Sequence, residues 1–148
     1  IYDCFVRVGG PTNSLELSVS VDTMVTLNQD DIVIDNMWLW RADHDVSGSV
    51  YEERNPCKHG LVVNGSDVIA YGLAVEHTLE DLVQWNGDRG QVFFYQSEFP
   101  YDVSQQSFGD PGYTSFRVSD QSRSFSGVGM GVYSYFRDFI VDVDSAII

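Results

Sequence analysis

The chain has 148 residues, with 22 acidic side chains against 8 lysines and arginines, for a formal net charge of -14. Hydrophobic residues make up 43% and aromatics 14%, which excludes a disordered chain. The negative balance argues against a nucleic-acid binder, and against a binder of polyanionic polymers unless calcium screens the charge; no run of about 18 apolar residues is present to span a membrane.

Residues 1–8 already read as a strand, without a charged leader region or cleavage site, and residues 139–148 also alternate like a strand. An apolar strand at each end would be an open edge in an isolated domain, so the sequence reads as an excerpt of a longer chain. Between them a unit recurs: strand, polar turn, strand, irregular excursion. Its copies pair residues 15–21 with 32–40, 60–63 with 68–77, 82–85 with 91–98, and 113–118 with 128–136. Helix signals are weak, the best being a short segment at 76–84 with Thr78 as N-cap. Ile32, Val68 and Val92 are equivalent points, 36 and then 24 residues apart. A period near 24 with insertions at 43–59 and 101–112 is the mark of a solenoid. The fold expected is all-β, a right-handed parallel β-helix forming one segment over residues 1–148; the rival is a β-sandwich.

Cys4 and Cys57 are equally compatible with one disulfide and with two free thiols. Asn64-Gly65-Ser66 fits a glycosylation sequon, but Asn-Gly reads first as a turn.

Aligned on those points, Met37, Leu73 and Ser97 form one inward column, and Leu39, Val75 and Phe99 another. The intervening residues then point outward: Trp38 and Trp40, Ala74 and Glu76, Glu98, and Asp102 beyond Pro100. Two tryptophans on an exposed strand need a partner. In this alignment Glu98 is offset by two residues from Glu76, about 8 Å away at the backbone. Paired carboxylates at such separations suit glycosidic bond hydrolysis, although a chain with 22 acids also offers such pairs by chance. Trp38, Trp40, Tyr95 and Tyr101 have the character of sugar-stacking platforms, or of side chains packed under an insertion or a neighbouring domain. His44 and His77 each follow a carboxylate at a strand end, where a proton shuttle, a metal ligand or a hydrogen-bonded corner histidine all fit. Asp30, Asp31, Asp35, Asp43, Asp45, Asp142 and Asp144 leave room for calcium but match no calcium loop; no other cofactor is expected. Neither a nucleophile elbow nor a phosphate-binding loop is present.

The segments IDNMWLWRADH (34–44), GLVVNG (60–65), AYGLAVEH (70–77), WNG (85–87) and FYQSEFPYD (94–102) together resemble a family of large secreted pectin-lyase-like β-helix proteins of bacteria, oomycetes and algae. Some of its members carry automatic names such as adenylyl cyclase. The resemblance runs from about Val6 to Ala146 and implies a longer parent chain whose further coils are partners of this one. It also implies a likeness to β-1,3-glucan-active glycoside hydrolases, a polysaccharide ligand and a secreted or cell-surface location. No catalytic residue follows from it position by position.

Two functions are carried forward. One is a hydrolase of a neutral glucan, with Glu98 as proton donor, Glu76 or Asp102 as base or nucleophile, and Trp38, Trp40, Tyr101, His77 and Arg41 binding substrate. A polysaccharide lyase fits less well, since lyases on polyuronates use a basic groove. The other is a surface module that grips glycan without cleaving it, for which the aromatics alone suffice.

Overall fold

The computed structural model describes residues 1–11 and 18–148. Two parallel sheets alternate along the chain. The first holds β1 (Tyr2–Val8), β3 (Val33–Arg41), β7 (Ile69–Glu76), β9 (Gly90–Glu98) and β11 (Phe125–Tyr133), in that order. The second holds β2 (Val21–Leu27), β6 (Cys57–Val63), β8 (Val83–Trp85) and β10 (Phe116–Val118). Every pairing within both sheets is parallel, and each coil contributes one strand to each. This is the expected parallel β-helix. Such a coil has no core of its own; Leu39, Leu61, Leu73, Val75, Val83, Trp85 and Phe116 become buried only where coils stack.

The first sheet is bent along one line. Asp3, Asn36, Gly72, Phe94 and Gly129 are neighbours across its five strands, and each has a left-handed backbone, with φ of 51°, 56°, 58°, 65° and 68°. The bend resets the alternation. Ile34 and Met37, Ala70 and Leu73, and Val92 and Tyr95 are all buried, three residues apart rather than two. Asn36 donates to the Asp3 carboxylate at 2.7 Å along the same line.

The other corner stacks Asn-Gly turns. Asn86 donates to the Asn64 carbonyl oxygen at 2.9 Å, and Asn64 donates to that of Asn28 at 2.7 Å. The Asn64 amide is therefore a rung of this ladder. A Cβ on Gly87 would collide with the Gly65 carbonyl, and one on Gly65 with that of Gln29, so the turns stack only as glycines.

Several expectations change. Residues 76–84 are not helical: they turn from β7 into β8, and the one helical element among the described residues is the π-turn Gln105–Gly109. Of the strand expected at 15–21, residues 15–17 lie outside the described residues and 18–20 are not strand; the strand of that coil is β2, which begins at Val21. β11 begins at Phe125, three residues before the expected start. Cys4 and Cys57 are free thiols, and burial pushes Cys57 up to about 12. The excursion after β3 carries the small hairpin of β4 (His44–Asp45) and β5 (Gly48–Ser49).

Register is the most consequential correction. Ile69 pairs with Gln91, and Glu76 with Glu98, so these coils repeat every 22 residues rather than 24. A slip of two keeps every side chain on its expected face, which is why alternation alone did not expose the error. It moves Tyr95, not Ser97, into the Met37–Leu73 column, and Ser97, not Phe99, beside Leu39 and Val75.

Candidate active site

With the register fixed, two outward columns stand side by side on the first sheet. One runs Arg7, Trp40, Glu76, Glu98, Tyr133; the other, two residues earlier, runs Phe5, Trp38, Ala74, Gln96, Gly131. Glu76 and Glu98 are direct neighbours, with backbones about 4.8 Å apart rather than the expected 8 Å.

The two carboxylates live differently. Glu76 is 9% exposed and both its oxygens are engaged: Trp38 Nε1 donates to Oε2 at 2.9 Å, and Gln96 Nε2 donates to Oε1 at 3.2 Å. Burial pushes its pKa up, and those two hydrogen bonds oppose the shift. Glu98 is more open, and Tyr101 donates its hydroxyl to Oε2. Burial and the neighbouring Glu98 carboxylate push the Tyr101 phenol upward, which keeps it a donor.

Behind Glu98 lies His77, almost fully buried. Its Nδ1 is 3.1 Å from the Phe99 carbonyl, so the proton sits there and donates. Nε2 faces Asp43 Oδ1 at 3.3 Å and Glu98 Oε2 at 3.7 Å. Burial lowers the His77 pKa, and Asp43 pulls against it. Asp43 Oδ1 also accepts from Trp40 Nε1 at 3.2 Å and lies 3.0 Å from His44 Nδ1. Asp43 thus joins the site through the insertion after β3, although its spacing from Glu98 gives no sequence signal. Gln96 was missed because the two-residue register slip hid its place beside Trp38 and Ala74.

Asp102 does not share the outward face. It is 4% exposed, and Arg41 grips both its oxygens at 3.0 Å. Arg41 is itself fully buried and donates to the backbone carbonyls of Arg54, Asn55 and His77. Both residues therefore face inward, away from the open groove. Their pairing ties the ends of β3 and β7 to the loops carrying Glu53 and Tyr101. Tyr95 is likewise buried; its hydroxyl donates to the Ser115 carbonyl under the sheet, so it offers no platform.

The remaining aromatics do form a surface. Phe5, Trp38 and Trp40 lie with ring centroids 4.8 Å and 5.5 Å apart in succession, and the Arg7 guanidinium sits 5.0 Å over Trp40. Tyr101 packs edge-on against His77 at 4.4 Å and against Tyr135 at 5.2 Å. Beside Glu76 a groove of about 410 Å³ opens over Gly72 and Ala74, between Trp38 and the side chains of Phe94 and Gln96. Among the described residues no group of three or more His, Cys, Asp or Glu converges as a metal site. An acid pair beside an aromatic wall is an arrangement suited to general acid–base chemistry at a glycosidic bond.

The LAM55 pectate lyase-like domain matches over residues 1–98. The chain belongs to this family. It is 39% identical over 140 residues to an exo-beta-1,3-glucanase of Streptomyces sp. (strain SirexAA-E / ActE), covering 92% of this chain and 22% of that protein. Among solved structures it superposes on sacteLam55A from Streptomyces sp. SirexAA-E with a TM-score of 0.79 and 35% identity, over 97% of this chain and 27% of that one. A variant of sacteLam55A solved in complex with glucose matches equally well, at 34% identity. The LAM55-type chain thus spans about a quarter of the length of these relatives. No helix among the described residues is long and apolar enough to cross a membrane.

Proposed function

We propose that this LAM55-type chain carries the acid pair of a β-1,3-glucan hydrolase, with Glu98 as proton donor and Glu76 as the fixed carboxylate that orients the attacking water. The observation that carries this reading is the unequal load on the two neighbours. Glu76 has both oxygens held by N–H donors, which suits a carboxylate that stays in place and accepts. Glu98 has Oε2 held by Tyr101, while Oε1 has no protein partner among the described residues and is free to meet a glycosidic oxygen. His77 and Asp43 lie behind it as the groups through which a proton returns. Trp38, 42% exposed, supplies a plane on which a pyranose C–H face packs, and the buried Trp40, stacked on Trp38 with Arg7 over its ring, backs that plane rather than offering one of its own. That the Streptomyces relative is an exo-beta-1,3-glucanase, and that a sacteLam55A variant binds glucose, support the substrate class. A polymer of this kind is met outside the cell, so the reading carries a secreted or surface location with it.

The test is release of sugar from soluble and insoluble β-1,3-glucans by the full-length protein and by its Glu98→Gln form. Release that disappears in the variant supports the assignment. Binding without release by the unaltered protein would sink it and favour a glycan-gripping module instead.

A further inference from the structure

Phe94 is the anomaly of the bent sheet. Its four neighbours along the left-handed line are Asp3, Asn36, Gly72 and Gly129, residue types that tolerate a positive φ. A phenylalanine at φ 65° does not. Strain of this kind persists where the surroundings hold it or where a function uses it. The surroundings offer little: Phe94 is 67% exposed, and glycines flank it on both neighbouring strands, Gly72 on one side and Gly129 on the other. No aromatic partner lies against it among the described residues, unlike Phe93, which stacks on Tyr71 at 5.2 Å. What the ring does line is the groove that ends at Glu76 and runs over the small residues Gly72 and Ala74, with Trp38 opposite.

We propose that Phe94 is a sugar-binding platform, stacking on a pyranose of a neutral glucan chain that lies along this groove beyond the ring held at Glu76 and Glu98. The inference rests on the hydrolase reading above and adds a place for the rest of the polymer. The left-handed bend aims the ring outward at the groove rim, a direction an extended residue at this position would not reach. Ala74 and Gly72 leave floor space for a sugar between Trp38 and Phe94. Phe94 precedes Glu98 by four positions on β9, at most about 13 Å along the chain. The platform therefore serves a sugar removed from the bond being cleaved, and its contribution grows with oligosaccharide length.

The test separates folding from binding by their signs. Phe94→Gly removes both the strain and the ring. Its melting temperature should equal or exceed that of the unaltered protein, because glycine adopts this backbone freely. Its kcat/KM should fall about tenfold on a β-1,3-linked pentasaccharide and stay unchanged on the disaccharide. Phe94→Tyr, which keeps the ring, should restore the pentasaccharide value. A melting temperature lowered by several degrees would show that the ring packs on protein, and would overturn the proposal. So would an unchanged pentasaccharide rate. If the unaltered protein cleaves no β-1,3-glucan, the hydrolase reading fails first, and the comparison of Phe94 forms is then read from pentasaccharide binding by titration. Equal affinities of the unaltered and Phe94→Gly proteins overturn the platform there as well.

Discussion

Glu98 stands directly across the strand pair from Glu76, yet the two carboxylates are held by different kinds of donor: a phenol on one, indole and amide N–H groups on the other. The difference predicts different losses. Glu98→Gln keeps the shape and removes the proton donor, so kcat on an unactivated glucan falls by about 10²–10⁴. On an aryl glucoside whose leaving group needs no proton, the loss is much smaller. Glu76→Gln lowers kcat on both substrates alike, because water activation is needed whatever leaves. Parallel losses for Glu98→Gln on the two substrates would remove it from the acid role.

The Glu76 pKa is raised by burial, so the folded protein holds that proton more tightly than the unfolded chain. The associated stability is present below the ordinary carboxylate pKa of 4.5 and is lost as pH rises through the folded value. Glu76→Gln should therefore melt higher than the unaltered protein at neutral pH, with the gap closing below pH 4.5. A gap constant across that range would show that burial of the charge is not what separates the two forms.

Arg41 and Asp102 form a pair with almost no solvent exposure. Asp102→Ala leaves the guanidinium unpaired in the interior and should cost about 3–5 kcal/mol, measured by denaturant unfolding. Removing both charges with Arg41→Met and Asp102→Leu should recover only part of this. Three backbone carbonyls, of Arg54, Asn55 and His77, also accept from Arg41 and would be orphaned. Full recovery would mean that those bonds contribute little.

Much of this architecture was legible in the sequence, and the reasons for the misses are physical. Alternation identified the solenoid and the outward face of Trp38, Trp40, Glu76 and Glu98. It could not find the register, since a slip of two residues leaves every face unchanged. The bend at Asn36, Gly72 and Phe94 leaves a trace only as a skipped beat, Ile34 to Met37 instead of Ile34 to Asn36, which a search for strict period two passes over. Arg41 and Asp102 looked like groove residues because charged side chains are usually exposed; their burial comes from a pairing across 61 positions that no local pattern announces. Asp43 entered the site by the same kind of long-range closure.

The Asn-Gly corner should tolerate substitution poorly. Gly87→Ala would drive a methyl into the Gly65 carbonyl, and backbone there cannot rotate away as a side chain would. A loss of about 1–3 kcal/mol is expected. Asn86→Ala, which only breaks one rung of the exposed ladder, should cost less than half of that. Equal losses would place the corner's stability in the ladder rather than in the close approach of the turns.

Trp38 serves two purposes that one pair of substitutions can separate. Its ring is part of the wall with Phe5 and Trp40, and its Nε1 holds Glu76. Trp38→Phe keeps an aromatic plane and removes the donor. A hydrogen bond to a charged group is worth about 1.5–3 kcal/mol, so kcat should fall roughly 10- to 100-fold with little change in KM. Trp38→Ala removes the plane as well and should raise KM in addition. If Trp38→Phe leaves kcat intact, Gln96 alone is enough to hold Glu76, and the tryptophan acts only as a surface for sugar.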